Sequence, residues 1–358
     1  MKNKTIVTVT GIRPDFIRMS EIFKKLDENF NHILIHTGQH FDKLLSDIFF
    51  EELEIRKPDY NLEIGGPGKE HFHQSGDLSV KLIELIREEK LNPDIILFLG
   101  DSNSVTSAIP LKKEGYKIGH IEAGMRSGDK RMLEEINRTV CDHCSDLLFV
   151  YHENYKNKLN KENIVDGVHV VGNTIVEVAN KFIPVEDKKN DRIILDIHRP
   201  ENFKYKERLE NILTYTNNMA SKYKLPVFML GFKRTLDYIK EFNIDMSKYE
   251  WITITDLLPF KSYLEQVYHS KFIISDSGTG QEEPALLDTP VIVPRDYTER
   301  PESLINNCSF MVNMNHYSHE SWAFSEKWLL LDSIKRNTEW LGKGNTSDII
   351  VQILKEKL

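Results

Sequence analysis

The chain has 358 residues, of which 28% are charged, 40% hydrophobic and 10% aromatic, and this composition excludes disordered, collagen-like and disulfide-stapled proteins. At about 100–200 residues per domain, the length predicts two hydrophobic cores. The 47 basic against 55 acidic residues leave a net charge of −8, which speaks against nucleic acid or anionic membrane as partners, since both are bound mainly through excess positive charge. Cys141, Cys144 and Cys308 are too few for a disulfide framework and suit a reducing compartment, so the cytoplasm is the expected location.

The chain opens with a basic Met1-Lys2-Asn3-Lys4 and a short apolar run, Thr5–Thr10, ended by Gly11-Ile12-Arg13-Pro14-Asp15. That pattern predicts a strand rather than a signal peptide. No stretch of about 18 apolar residues occurs, so no membrane insertion is expected. Further β-branched runs follow at Ile33–His36, Ile95–Leu99, Lys117–Ile121 and Leu147–Val150, with helical spacing between them, as in Lys81–Glu89. Alternating strands and helices predict a mainly parallel sheet, because parallel neighbours need a crossover that a helix supplies. This first domain is placed at residues 1–176.

After Gly172-Asn173-Thr174 and a charged stretch at 186–191, the alternation resumes. Strands are predicted at Arg192–Ile197, Pro226–Leu230, Phe272–Ser275 and Pro290–Pro294. Helices are predicted near Glu207–Lys222, Lys261–His269 and Gly280–Leu287, giving a second α/β domain at 177–341. A last helix, Thr346–Leu358, follows Gly342-Lys343-Gly344.

In such sheets ligands gather beyond the carboxyl ends of the strands. Ser275–Glu283 follows a strand and opens a helix. It reads either as an anion site built from backbone N–H groups or as an ordinary N-cap. Arg13, with Arg18 about one turn on, stands at the end of the first strand, as a cleft residue or a surface one. No Gly-x-Gly-x-x-Gly follows that strand, so the dinucleotide fingerprint is missing.

The densest constellation is Gly100-Asp101-Ser102, His120–Arg126 and Glu134–Arg138. Asp101 and Glu122 each fall just past a strand, and Glu134 and Arg138 share a helix face. Carboxylates converging with arginines suit proton transfer at a weakly acidic carbon, and equally suit a salt-bridge network. His198 follows its strand as a phosphate ligand, an acid or base, or a structural histidine. Arg295–Glu302 reads as charged loop surface or as a cleft wall. Cys141 and Cys144 lie on one helix with no second ligand pair, so no metal site is expected.

In order along nearly the whole chain, Gly11–Asp15, Thr37–His40, Gly100–Ser102, His120–Arg126, Glu134–Arg138, Gly172–Thr174, His198–Asn202, Ser275–Glu283 and Arg295–Glu302 resemble the non-hydrolysing UDP-N-acetylglucosamine 2-epimerases. The resemblance implies two Rossmann-like domains in a GT-B arrangement with the active site in the interdomain cleft, and a C-terminal helix at 342–358 packing back on the first domain. It also implies an isomerase interconverting UDP-GlcNAc and UDP-ManNAc without a cofactor. Anti elimination of UDP across C1–C2 would give a 2-acetamidoglucal, and UDP would then add back. A homodimer serving surface polysaccharide synthesis is implied as well.

By the same resemblance, Asp101, Glu122 and Glu134 are acid/base candidates, and Arg138 is their supporting cation. Ser277, Gly278 and Thr279, with Arg13 and the catalytic candidate His198, form a diphosphate clamp, and Glu283 matches a ribose ligand. The matching segments add Asp15, Arg18, Gln39, His40, Arg126 and Arg300 to the substrate-binding set. Departures are Ile12 and Asp15 in Gly-Ile-Arg-Pro-Asp, Leu133 before Glu134-Glu135, and Thr279 after Ser277-Gly278. Pro226–Arg234 also lacks the Pro-x-His segment tied to activation by a second substrate molecule. A modified UDP-sugar of the diacetamido uronate type is an alternative substrate. A hydrolysing epimerase, a GT-B glycosyltransferase and a nucleotide-sugar sensor are alternative functions. An epimerase working through C4 oxidation is disfavoured, as none of the 13 tyrosines has lysine four residues on.

Overall fold

The computed structural model describes residues 3–38, 47–66, 70–129, 132–315, 319–330 and 336–358. The chain divides into two compact units, Met1–Val178 with Leu341–Leu358, and Ala179–Trp340. Among the described residues no helix is long and apolar enough to cross a membrane.

The first unit holds the strands β1 (Thr5–Thr10), β2 (Asn31–His36), β3 (Tyr60–Asn61), β4 (Ile95–Leu99), β5 (Ile118–Ile121), β6 (Leu147–Val150) and β7 (Val168–Val170). They form one sheet in the order β3-β2-β1-β4-β5-β6-β7, and each described pair is parallel. All five residues of β4 are buried, as expected of a strand with helices on both faces. Val7, Val9, Ile96, Phe98 and Ile118 pack against Leu78, Leu82 and Ile86 of the helix His71–Glu88. The C-terminal helix Thr346–Lys357 belongs to this unit: Thr346 Oγ1 donates to the Val171 carbonyl at 3.0 Å and Lys25 pairs with Asp348 at 3.0 Å.

The second unit holds β8 (Arg192–Asp196), β9 (Val227–Leu230), β10 (Ile252–Thr255), β11 (Ser270–Ser275), β12 (Val291–Val293) and β13 (Ser309–Met311). Their order is β10-β9-β8-β11-β12-β13, again parallel. Its core sets Ile193, Leu195, Phe272 and Ile274 against Leu209, Ile212, Leu213 and Met219 of the helix Lys206–Tyr223.

Strand order reverses between β1 and β4 in the first sheet and between β8 and β11 in the second. Chain leaving neighbouring strands there departs to opposite faces and leaves a crevice at the carboxyl edge. Arg13, Asp101 and Glu122 follow β1, β4 and β5, while His198 and Ser277 follow β8 and β11.

One predicted helix is different. Gly280–Leu287 is not continuous but splits into a 3₁₀ turn, Thr279–Gln281, and a short helix, Glu283–Leu286. Pro284 has no N–H to donate back along the chain and crowds the backbone of Glu283, which breaks the run.

Candidate active site

In the first unit the carboxylates are set by backbone and arginine together. Pro14 lies in the first turn of the helix Arg13–Asn29, where a missing N–H costs nothing. Asp15 turns its carboxylate back onto the N–H groups of Gly11 (2.7 Å) and Ile12 (3.1 Å), closing the exit from β1. Burial pushes the Asp15 carboxyl up to about 7 despite those two donors, and the charges of Asp101 and Glu122 add to the rise. Arg13 lies over the Phe49 ring at 5.4 Å.

One turn further, Arg18 donates to Glu122 Oε2 at 3.0 Å and to Asn173 Oδ1 at 3.2 Å, with its guanidinium over the Tyr151 ring. Glu122 holds a left-handed backbone (φ 70°), a conformation that costs a non-glycine residue about 1–3 kcal/mol. The N–H groups of Glu122 and Ala123 both donate to the Phe149 carbonyl of β6, which keeps this turn in place. Arg138, almost wholly buried, pairs with Asp101 and lies 3.9 Å from Glu122 Oε1. Asp101 and Glu122, from successive strand ends, are thus each held by a cation, and Arg138 reaches both. Glu134 sits one turn before Arg138 in the helix Leu133–Cys144 and is partly exposed.

Below them lies a buried pair without a role in the sequence reading. His120 Nδ1 is 2.6 Å from Asp142 Oδ1, and its Nε2 is 2.8 Å from the Gly100 carbonyl. A carbonyl can only accept, so Nε2 carries a proton. Burial opposes charge on this ring, but Cys141 and Asp142 beside it hold its pKa well above the usual imidazole value. Asp142 Oδ2 also accepts from the Gly124 N–H at 3.1 Å. Gly124 itself has φ 75°, and a Cβ there would meet the Tyr155 carbonyl oxygen at 2.7 Å. The pair therefore ties together the segments that carry Asp101 and Glu122.

Arg126 is placed apart from the two carboxylates. Its guanidinium is paired with Asp142 and Glu162, both at 2.8 Å. Glu135 accepts from the N–H groups of Ser127 and Gly128 and closes that turn. Gln39 and His40 lie outside the described residues.

In the second unit Asp276, fully buried, accepts from the N–H groups of His198 (3.0 Å) and Arg199 (3.1 Å) and from Asn202 Nδ2 (2.9 Å). It stitches the segment after β8 to the turn after β11. His198 Nδ1 lies 2.9 Å from Asp196 Oδ1. Asp196, His198 and Asp276 bring ligand-type atoms within 4.8 Å of one another, a grouping that their mutual hydrogen bonds account for.

The turn itself begins with the Ser277 N–H on Ser275 Oγ at 3.1 Å. Among the described residues, the next three N–H groups, those of Gly278, Thr279 and Gly280, have no acceptor. The Ser277 and Thr279 hydroxyls lie 3.1 Å apart beside them. A Cβ at Gly278 would meet Arg300 Nη1 and Glu299 Oε1 at 2.6 Å, so a larger residue there must displace that buried ion pair.

Arg295–Glu302 is not charged surface. Arg300 is buried, pairing with Glu282 (2.7 Å) and Glu299 (2.8 Å), and Glu299 also takes Arg295 at 3.1 Å. Mutual neutralisation lets these charges sit inside and makes them a floor for the Ser277 turn. Glu283 is buried at the start of the short helix.

Two further residues of these networks carry a signal in their spacing. Asp142 stands eight residues after Glu134, on the stripe Glu134, Arg138, Asp142 that a helix presents on one side. Asp196 precedes His198 by two, the spacing that puts side chains of extended chain on one side.

The family model described as UDP-N-acetylglucosamine 2-epimerase matches residues 24–355 of the chain. The UDP-N-acetylglucosamine 2-epimerase of Methanococcus maripaludis is 35% identical over 97% of this chain and 97% of its own. The UDP-2,3-diacetamido-2,3-dideoxy-D-glucuronate 2-epimerase of Pseudomonas aeruginosa is 31% identical over 98% of this chain and 99% of its own. Among solved structures, Methanocaldococcus jannaschii UDP-GlcNAc 2-epimerase in complex with UDP-GlcNAc and UDP is similar with a TM-score of 0.89 at 33% identity, covering 98% of this chain and 99% of that one.

Proposed function

The chain belongs to the UDP-N-acetylglucosamine 2-epimerase family, and from that premise we propose that it interconverts UDP-GlcNAc and UDP-ManNAc by eliminating and re-adding UDP. The observation that carries the reading is the pairing of Asp101 with Arg138 and of Glu122 with Arg18 and Arg138 at neighbouring strand ends. Two carboxylates on separate elements suit the two faces of one carbon, and their arginines keep them oriented.

In this mechanism a carboxylate takes the C2 hydrogen as a proton, the C–H electrons become the C1–C2 double bond, and the C1–O electron pair leaves with UDP. Return of UDP and of a proton to the opposite face completes the inversion. No carbonyl acidifies C2, so the developing charge on the diphosphate must be met as the C1–O bond breaks. The Gly278, Thr279 and Gly280 N–H groups, the Ser277 and Thr279 hydroxyls, His198 and Arg13 are the proposed donors. Glu283 takes the ribose. Glu134 is the third acid/base candidate, and Arg126 is a positioning residue through Asp142.

The test is to incubate the purified protein with UDP-GlcNAc and resolve the products by proton NMR. A stable mixture of two UDP-sugars supports the proposal. Stoichiometric free UDP would indicate hydrolysis, and turnover only with an added acceptor would indicate glycosyl transfer. Turnover of a diacetamido uronate but not of UDP-GlcNAc would move the substrate while leaving the reaction.

A further inference from the structure

His198 is half-buried, with its side chain 29% exposed, and among the described residues only one of its ring nitrogens is engaged. Nδ1 is 2.9 Å from Asp196 Oδ1 and 3.5 Å from Asp276 Oδ1, whereas Nε2 has no hydrogen bond among the described residues. The ring lies on Phe232 with centroids 4.8 Å apart, so its plane is fixed by packing as well. Asp196 is buried, and its other oxygen accepts the Ser275 hydroxyl at 2.9 Å. Ser275 Oγ in turn accepts the Ser277 N–H, at the start of the turn with three open donors. One continuous chain of contacts therefore runs from the anion turn through Ser275 and Asp196 to His198.

Asp276 is not an equivalent partner. Its carboxylate already accepts three hydrogen bonds, from the N–H groups of His198 and Arg199 and from Asn202, and its approach to Nδ1 is longer. Asp196 has no such competing backbone donors among the described residues.

We propose that Asp196 is a positioning residue that accepts a hydrogen bond from the Nδ1–H of His198 and holds the doubly protonated ring so that its Nε2–H is a fixed donor to the diphosphate of a nucleoside-diphosphate sugar. The proposal rests on the UDP-sugar reading above and adds to it the residue that sets the histidine's charge and orientation. A carboxylate on one imidazole nitrogen fixes which atom donates from the other and stabilises the ring cation.

The groups facing His198 agree with that assignment. Asp196 comes from β8 and Asp276 from the segment after β11; Arg199 opposes them, and Phe232, before the helix Lys233–Glu241, is neutral. Tyr263 of the helix Phe260–His269 lies near Asp196 and is held neutral, its pKa well above the ordinary phenol value because of burial. Burial alone would lower the pKa of His198, but Asp196 and then Asp276 outweigh it, and the ring titrates above its ordinary value.

The test uses the whole chain and UDP as the probe, with calorimetric affinities measured from pH 6 to pH 9. Wild type should bind UDP and weaken as pH rises through the His198 titration. Asp196→Asn should bind UDP about tenfold more weakly near neutral pH and shift that weakening to lower pH, and His198→Gln should lose the pH dependence. Wild-type affinity and pH profile in Asp196→Asn would overturn the proposal while leaving the UDP-sugar reading intact. Failure of wild type to bind UDP would remove that reading, and this proposal with it. A second measurement needs no folded Asp196 variant: nitrogen NMR of ring-labelled wild type, with His198 assigned by His198→Gln. It should show protons on both ring nitrogens at pH 6 and the remaining proton on Nδ1 once the ring has lost its charge; an unprotonated Nδ1 in either state would overturn the proposal.

Discussion

Arg18 donates to Glu122 at 3.0 Å with both side chains almost wholly buried, and the same guanidinium nitrogen reaches Asn173 at 3.2 Å. Glu122 is therefore not a surface carboxylate that happens to lie near an arginine. Its backbone is strained, its turn is tied to β6, and its charge is held by a cation reaching from the helix after β1. Replacing Arg18 with Gln should lower kcat by about 10²-fold, the low end of what a positioned acid or base contributes. Affinity for UDP should change far less. Equal losses in both would show Arg18 to be a general structural support.

Asp101→Asn and Glu134→Gln each test one acid/base candidate. Each variant should abolish epimer formation while calorimetry still detects UDP binding, because the proposed UDP ligands other than Arg13 belong to the second unit. If either variant turns over at the wild-type rate, that residue leaves the proton-transfer scheme.

Asp15 makes a prediction about stability. Its folded pKa, about 7, lies above the value of about 3.9 expected for an unfolded aspartate. The folded state therefore holds the extra proton between those values, and stability falls as pH rises through that window. Asp15→Asn keeps an acceptor for Gly11 and Ile12 but never ionises. Its melting temperature should match wild type near pH 4 and exceed it by several degrees at pH 8. An equal difference at both pH values would contradict the assignment.

His120→Ala should be severe, because it strips a buried charge partner from Asp142 and the donor from the Gly100 carbonyl. Breaking such a pair costs about 3–5 kcal/mol. The raised pKa of His120 also gives the sign with pH: its contribution is complete below about 6.5, the unfolded value, and is lost as pH rises through the folded one. The gap between wild type and variant in urea unfolding should therefore narrow at alkaline pH.

The strands were the most legible part of the fold. Ile95–Leu99 and Leu147–Val150 coincide with their apolar runs, because strands buried on both faces are nearly continuous in apolar residues, and Thr5–Thr10 with its β-branched run. The strands β3, β7, β10 and β13 lie outside the expected set: β3, β7 and β13 have only two or three residues, too few to show a period, and Ile252–Thr255 of β10 has the alternation of a half-buried edge strand but only four residues. The helix expected at Gly280–Leu287 failed on Pro284, a residue visible in the sequence.

Segments flanking the strands marked where charged side chains gather, but not which partner each one chooses. Arg300 and Arg126 illustrate this. Both sit in motifs that point to ligand contact, yet both spend their guanidinium groups on buried or half-buried carboxylates of the protein. Pairing of that kind depends on residues far apart in the chain, and spacing carries no record of it.

Deuterium incorporation at the sugar C2 tests the central claim most directly. Wild type acting on UDP-GlcNAc in deuterated water should place solvent deuterium at C2 of the product UDP-sugar and, on reversal, of recovered substrate. Glu122→Gln should place none there although it still binds UDP. An epimerised product that retains its original C2 hydrogen would contradict proton transfer through these carboxylates.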